Sequence, residues 1–76
     1  MSKEYNGYSN YETWNVALHV CNDEGLYEIA RMFRRRGYDD FRLYLSELGY
    51  NRTLDGVSLT DSGLNIEELD EVLAEL

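Results

Sequence analysis

Apolar residues recur at helical spacing in four separate stretches of this chain, and that pattern sets the expected architecture. Trp14, Ala17, Leu18 and Cys21 stand at i, i+3, i+4 and i+7, which is one face of a helix. Leu26, Ile29, Ala30 and Phe33 repeat the spacing. So do Phe41, Tyr44, Leu45 and Leu48, and finally Ile66, Leu69, Val72, Leu73 and Leu76. The punctuation agrees with the periodicity. Ser9 and Glu12 form an S-x-x-E capping box, in which hydroxyl and carboxylate satisfy the free N–H groups of a first turn. Asn22 and Asp23 can stop the first helix and cap the second, and Gly37 offers a left-handed stop. Asp39 can cap a third helix closed by Gly49, and Asn65 with Glu68 starts the last one. The pattern predicts helices over about 10–21, 23–36, 39–48 and 66–75, with a flexible arm at 1–8.

Between Tyr50 and Gly63 the periodicity stops, and Gly, Asn, Asp and Ser take over. Val57 and Leu59 alternate with polar neighbours as a strand would. A lone strand has nothing elsewhere in the chain to pair with, so the segment reads as loop. The expected fold is all-α: one small four-helix domain over 1–76, with a long irregular connection before the last helix.

Composition narrows the chemistry. Seventy-six residues bury only about 60–65% of the unfolded surface, which leaves a small core and little room to enclose a substrate. Apolar residues at 43% and aromatics at 13% still suffice for folding, despite a net charge of −8. Cys21 is the sole cysteine, so no internal disulfide can form, and no Cys/His set exists for zinc. No metal or cofactor is expected. Cys21 and His19 are the classically reactive side chains. They stand two positions apart on a helix and point in different directions, and Cys21 reads as a buried small hydrophobe. Without a nucleophile–base pair or a Gly-rich phosphate loop, an enzyme is not expected. The first ten residues carry no apolar export segment, and no apolar run approaches the roughly 18 residues of a membrane span. A cytoplasmic protein with no membrane contact is the expectation.

Charge supplies the candidate surface. From Thr53 to Leu76 there are seven acidic residues and no Lys or Arg. Glu67, Glu68, Asp70, Glu71 and Glu75 lie opposite the apolar stripe of the last predicted helix, with Asp55 and Asp61 in the loop before it. Like charges at i, i+4, such as Glu67–Glu71 and Glu71–Glu75, each cost about 0.2–0.5 kcal/mol. Such a face is either merely solvated or shaped to meet a basic partner. A carboxylate copy of phosphates is permitted, although acids four apart rise about 6 Å and phosphates about 3.4 Å along a strand. The basic counterpart, Arg31, Arg34, Arg35 and Arg36, closes the second predicted helix, where the dipole favours cations. Ion pairs to Glu28, Asp39 or Asp40 would occupy it, or a protein contact. Direct nucleic-acid binding is not expected against a charge of −8. Seven tyrosines, among them Tyr5, Tyr8 and Tyr11 at every third position, suit packing or an interface equally.

The stretch Gly7-Tyr8-Ser9-Asn10-Tyr11-Glu12-Thr13-Trp14-Asn15-Val16-Ala17-Leu18, followed by Asn22-Asp23-Glu24-Gly25, resembles a family of small proteins from phages, plasmids and bacterial genomes that carry an N-Y-E-T-W motif near their start. The Asp55-Gly56-Val57-Ser58 segment belongs to the same resemblance. It implies a mobile-element origin and no particular activity. By analogy of class, small acidic phage proteins of this kind resemble anti-CRISPR and antirestriction inhibitors. The expected function is therefore a binding protein. Asp55, Asp61, Glu67, Glu68, Asp70, Glu71 and Glu75 would dock on the basic surface of a host protein or nucleoprotein complex, as a monomer or dimer. The alternative is a structural or regulatory homo-oligomer using the N-Y-E-T-W region and the arginine cluster.

Overall fold

The computed structural model describes residues 7–76; Tyr5 and most of the predicted arm lie outside the described residues. Four helices follow in order: α1 (Tyr11–Asn22), α2 (Glu24–Met32), α3 (Tyr38–Glu47) and α4 (Ile66–Ala74). No strand forms among the described residues, so the domain is all-α. α1 packs on α2 and α4, and α4 also meets α2 and α3. Val16, Ala17 and Val20 of α1 share the core with Leu26, Ala30, Phe41, Leu45, Leu69 and Leu73. Tyr8, at the described end of the predicted arm, packs half-buried against it.

The helix starts follow side-chain chemistry, with two departures from expectation. Ser9 does not cap α1. Asn10 does, its side-chain oxygen accepting the Thr13 N–H at 2.9 Å. The buried face of α1 is correspondingly rotated from the predicted one. Thr13, Asn15, Val16, Ala17 and Val20 point inward, while Trp14 and Leu18 are half-buried and Cys21 is exposed. Polar residues take inward positions here because hydrogen-bond partners from distant segments meet them there. Asp23 caps α2 as expected, accepting the Leu26 N–H at 3.0 Å.

α2 stops four residues earlier than its periodicity suggests. The Phe33 carbonyl accepts the N–H groups of Arg36 and Gly37 at 2.9 and 3.0 Å, and this turn replaces the last helical coil. Gly37 then adopts φ 95°, a conformation that costs a residue with a Cβ. It stands at the cap position of α3, two residues before the predicted cap Asp39, and has no capping side chain of its own. The cap comes from another helix: Asp70 of α4 accepts the Tyr38 N–H at 2.7 Å. A Cβ at position 37 would meet that same carboxylate oxygen at 3.3 Å, a second reason for glycine there.

This start turns Tyr38 inward, where its hydroxyl donates to the Leu59 carbonyl at 2.7 Å. Tyr38, Phe41 and Leu45 form the buried face of α3. Tyr44 and Leu48, expected in the core, are 38% and 61% exposed. Asn65 caps α4 as predicted, accepting the Glu68 N–H at 3.1 Å, and Leu69 and Leu73 fill the core.

The long connection is irregular but ordered by its own backbone. The Thr53 N–H donates to the Val57 carbonyl at 2.8 Å, and the Leu59 N–H to that of Asn51 at 2.9 Å. An isolated antiparallel bridge joins Arg52 to Ser58. The segment thus pairs with itself, a partner the sequence reading had not considered, and buries Thr53, Val57 and Leu59.

Candidate functional site

The N-Y-E-T-W stretch is where α1 fastens the rest of the chain. Asn10 caps α1 with its oxygen while its amide nitrogen donates to the Gly63 carbonyl. The Thr13 hydroxyl oxygen, fully buried, accepts the Asn65 N–H at 2.9 Å, joining α1 to the start of α4. Asn15, also fully buried, accepts from the Thr53 hydroxyl at 2.7 Å and donates to the Asp55 carboxylate at 2.8 Å. The Thr53 oxygen in turn accepts the Val57 N–H at 3.1 Å. Buried amides and hydroxyls linked this way satisfy one another, and removing one strands the others. Asn10, Thr13 and Asn15 therefore face the rest of the chain. Its aromatic members, Tyr11 and Trp14, stack obliquely with ring centroids 5.7 Å apart.

The seven acidic candidates divide by what they touch. Asp55 accepts from Asn15 and approaches His19 Nε2 at 3.4 Å. Asp61 accepts the Gly63 N–H at 2.7 Å, closing the turn ahead of α4. Glu68 accepts both the backbone N–H and the hydroxyl of Ser9 at 2.9 Å, so the predicted capping serine instead ties the chain before α1 to α4. Asp70 caps α3. These four carboxylates have structural duties. Glu67, Glu71 and Glu75 are exposed, and their side chains have no hydrogen bond or ion pair among the described residues.

Position on the helix explains the division. Residues 67, 71 and 75 follow at i, i+4 and i+8, a nearly straight stripe on the outer face of α4. Asp70 and Glu68 flank that stripe and reach neighbouring backbone. The seven acids do not form one continuous face. Asp55 sits beside His19, whereas Glu68 and Glu75 act on Tyr8, which also faces Cys21. His19 and Cys21 are two residues apart on α1, hence roughly 200° apart around it.

Titration behaviour follows burial. Burial chiefly, then the charges of Cys21, Glu75 and Glu68, pushes the Tyr8 phenol up. Burial pushes the Cys21 thiol up as well, although the residue as a whole is exposed, which disfavours the nucleophilic thiolate. Tyr50 is raised by burial and by the Asp23 charge, and Tyr38 is raised strongly by burial. No group of three or more His, Cys, Asp or Glu side chains that could hold a metal occurs among the described residues. No helix among them is long and apolar enough to cross a membrane.

Arg34, Arg35 and Arg36 lie in the turn after α2, while Arg31 is on its last coil. Arg36 pairs with Asp40 at 3.5 Å and lies over the Phe33 ring at 5.4 Å. Arg34 donates to the Leu76 carbonyl at 3.3 Å. Two features escaped the sequence reading. A small cavity of about 150 Å³ lies between His19, Asn22, Asp23, Tyr50 and Leu54. A larger groove of about 420 Å³ runs between the end of α2 and α3, edged by Met32, Phe33, Leu43 and Tyr44. Leu43 stands off the predicted stripe of α3, which was the available signal for it.

A family model spans residues 1–76 in full. The chain belongs to DUF7249, a family of unknown function. No curated protein and no solved structure matches it. Family membership therefore adds no chemistry to these surfaces, and the geometry has to carry the functional reading.

Proposed function

We propose that this protein is a binding module, not an enzyme, and that it uses the outer face of α4 to dock on a cationic surface of another protein. The observation that carries this reading is the stripe of Glu67, Glu71 and Glu75. Each like-charged pair along it costs about 0.2–0.5 kcal/mol. The other four acids of the same segment offset their cost by hydrogen bonding within the fold. A stripe without such compensation is what electrostatic steering toward a basic partner requires. The cationic surfaces most common in a cell are those that bind nucleic acid, and carboxylates there compete with phosphates. By analogy of class with the phage and plasmid proteins that Gly7 to Leu18 resembles, the proposed partner is a host defence complex of the CRISPR or restriction type, with the module acting in the host cytoplasm as an inhibitor.

The test is a pull-down from host extract with the wild type and with Glu67→Lys/Glu71→Lys/Glu75→Lys, at low and high salt. The expected result is capture of a nucleic-acid-binding protein whose DNA or RNA binding is blocked. Capture should be lost on charge reversal and in high salt. Equal capture by both proteins at both salt concentrations would refute it.

A further inference from the structure

His19 is the sole histidine of the chain, and it stands where α1 meets the turn at Thr53 to Gly56. Its Nε2 is sealed from solvent, makes no hydrogen bond among the described residues, and lies 3.4 Å from Asp55 Oδ2. The imidazole is 17% exposed and the carboxylate 54%. That same oxygen accepts from Asn15 at 2.8 Å, and Asn15 accepts from the Thr53 hydroxyl. Within the turn, the Gly56 N–H donates to the Thr53 carbonyl at 3.0 Å. Leu54 at the tip is 86% exposed, so the turn gains little apolar anchoring there. Its hold on α1 at this end rests on polar contacts, and one of them ends on a group that can gain a charge.

We infer that His19 and Asp55 form a proton-dependent latch, which holds the Thr53 to Gly56 turn against α1 when the imidazole is charged and loosens it when the imidazole is neutral. A neutral ring offers the carboxylate no charge. A protonated one faces it as a cation at ion-pair distance, with the nitrogen shielded from water. Histidine is the side chain whose ordinary titration falls between pH 5 and 8. The latch therefore contributes stability below that range, down to where carboxylates take up protons, and loses it as pH rises through the range. Other charges near the ring do not replace Asp55. Asp23, at the start of α2, and Tyr50 line the small cavity beside His19. Arg52 of the connection donates to the Gly56 carbonyl at 3.3 Å. Glu68 and Glu75 of α4 act on Tyr8, on the Cys21 side of α1. The latch is independent of any docking through the α4 stripe.

Amide hydrogen exchange of the full chain, followed by NMR at pH 5.5 and pH 7.5, tests this. The readout is the protection of the Thr53, Gly56 and Val57 N–H groups after correction for the intrinsic pH dependence of exchange. In the wild type, protection is expected to fall about threefold between the two pH values, the size of a half-exposed ion pair. His19→Gln removes the titrating ring, and Asp55→Asn removes the charge while keeping an oxygen for Asn15. Both variants should show the same protection at pH 5.5 and pH 7.5. Wild-type protection that is equal at the two pH values, or that rises with pH, overturns the inference without recourse to any variant. So does a fall that persists in either variant, since another group would then be its source.

Discussion

Asp70 and Glu71 are neighbours in sequence and both carry a carboxylate on α4, yet the fold uses them in opposite ways. Asp70 reaches across to Tyr38 and supplies the cap that α3 lacks. Glu71 points to solvent between Glu67 and Glu75. The same split runs through the whole acidic segment: Asp55, Asp61, Glu68 and Asp70 hold backbone or buried side chains, and the remaining three make no hydrogen bond or ion pair among the described residues. A carboxylate within reach of an orphan N–H contributes to folding. One surrounded by others of its sign does not, and that contrast is the ground for the proposed docking role of the outer stripe.

The inward side of this contrast breaks most visibly at Asn15. Asn15→Ala leaves the Thr53 hydroxyl and the Asp55 carboxylate without their partner at a fully buried position. A loss of about 2–3 kcal/mol in urea unfolding is expected. A value within the scatter of surface substitutions would show that the loop is not fastened to α1 in this way.

Tyr38→Phe comes next, at about 1–2 kcal/mol, because it deletes the hydroxyl that satisfies the buried Leu59 carbonyl. Tyr38 also predicts an alkaline limit. Its folded pKa lies above the ordinary phenol value of about 10 because burial penalises the phenolate. Stability from this group is intact below about pH 10 and falls as pH rises above it, since the unfolded chain releases the proton first. Unfolding free energy measured against pH should decline above pH 10 in the wild type and decline less in Tyr38→Phe. Parallel curves would contradict the burial of Tyr38.

On the outward side the expected effects on folding are small. Glu71→Gln should change stability by no more than about 0.5 kcal/mol, in the stabilising direction, by relieving Glu67 and Glu75. A clear destabilisation would mean that Glu71 has a role inside the fold.

The sequence made the helices legible where periodicity and caps agreed. Asn65 with Leu69 and Leu73, and Asp23 with Leu26 and Ala30, stand as the pattern requires. It misread α1 because Thr13 and Asn15 are polar, and hydropathy cannot see that Asn65 and Thr53 arrive to satisfy them. It misread the outer residues of α3 because the cap that sets its start lies 32 positions away in α4. The candidate site was legible as a charge count only. Which carboxylates were already engaged depended on partners as distant as Ser9 from Glu68, 59 residues apart. The groove at Met32 and Leu43 was hidden for a related reason: Tyr44 and Leu48 shared the spacing of a core face that α3 does not bury.

Replacing the two neighbours separately, Asp70→Ala and Glu71→Ala, and measuring urea unfolding beside retention of a captured partner, tests the division most directly. Asp70→Ala is expected to cost about 1–2 kcal/mol, as loss of a helix cap does, and to retain the partner. Glu71→Ala is expected to leave stability unchanged or slightly higher and to weaken binding. Equal losses of stability in the two variants, or weaker binding from Asp70→Ala alone, would contradict the account.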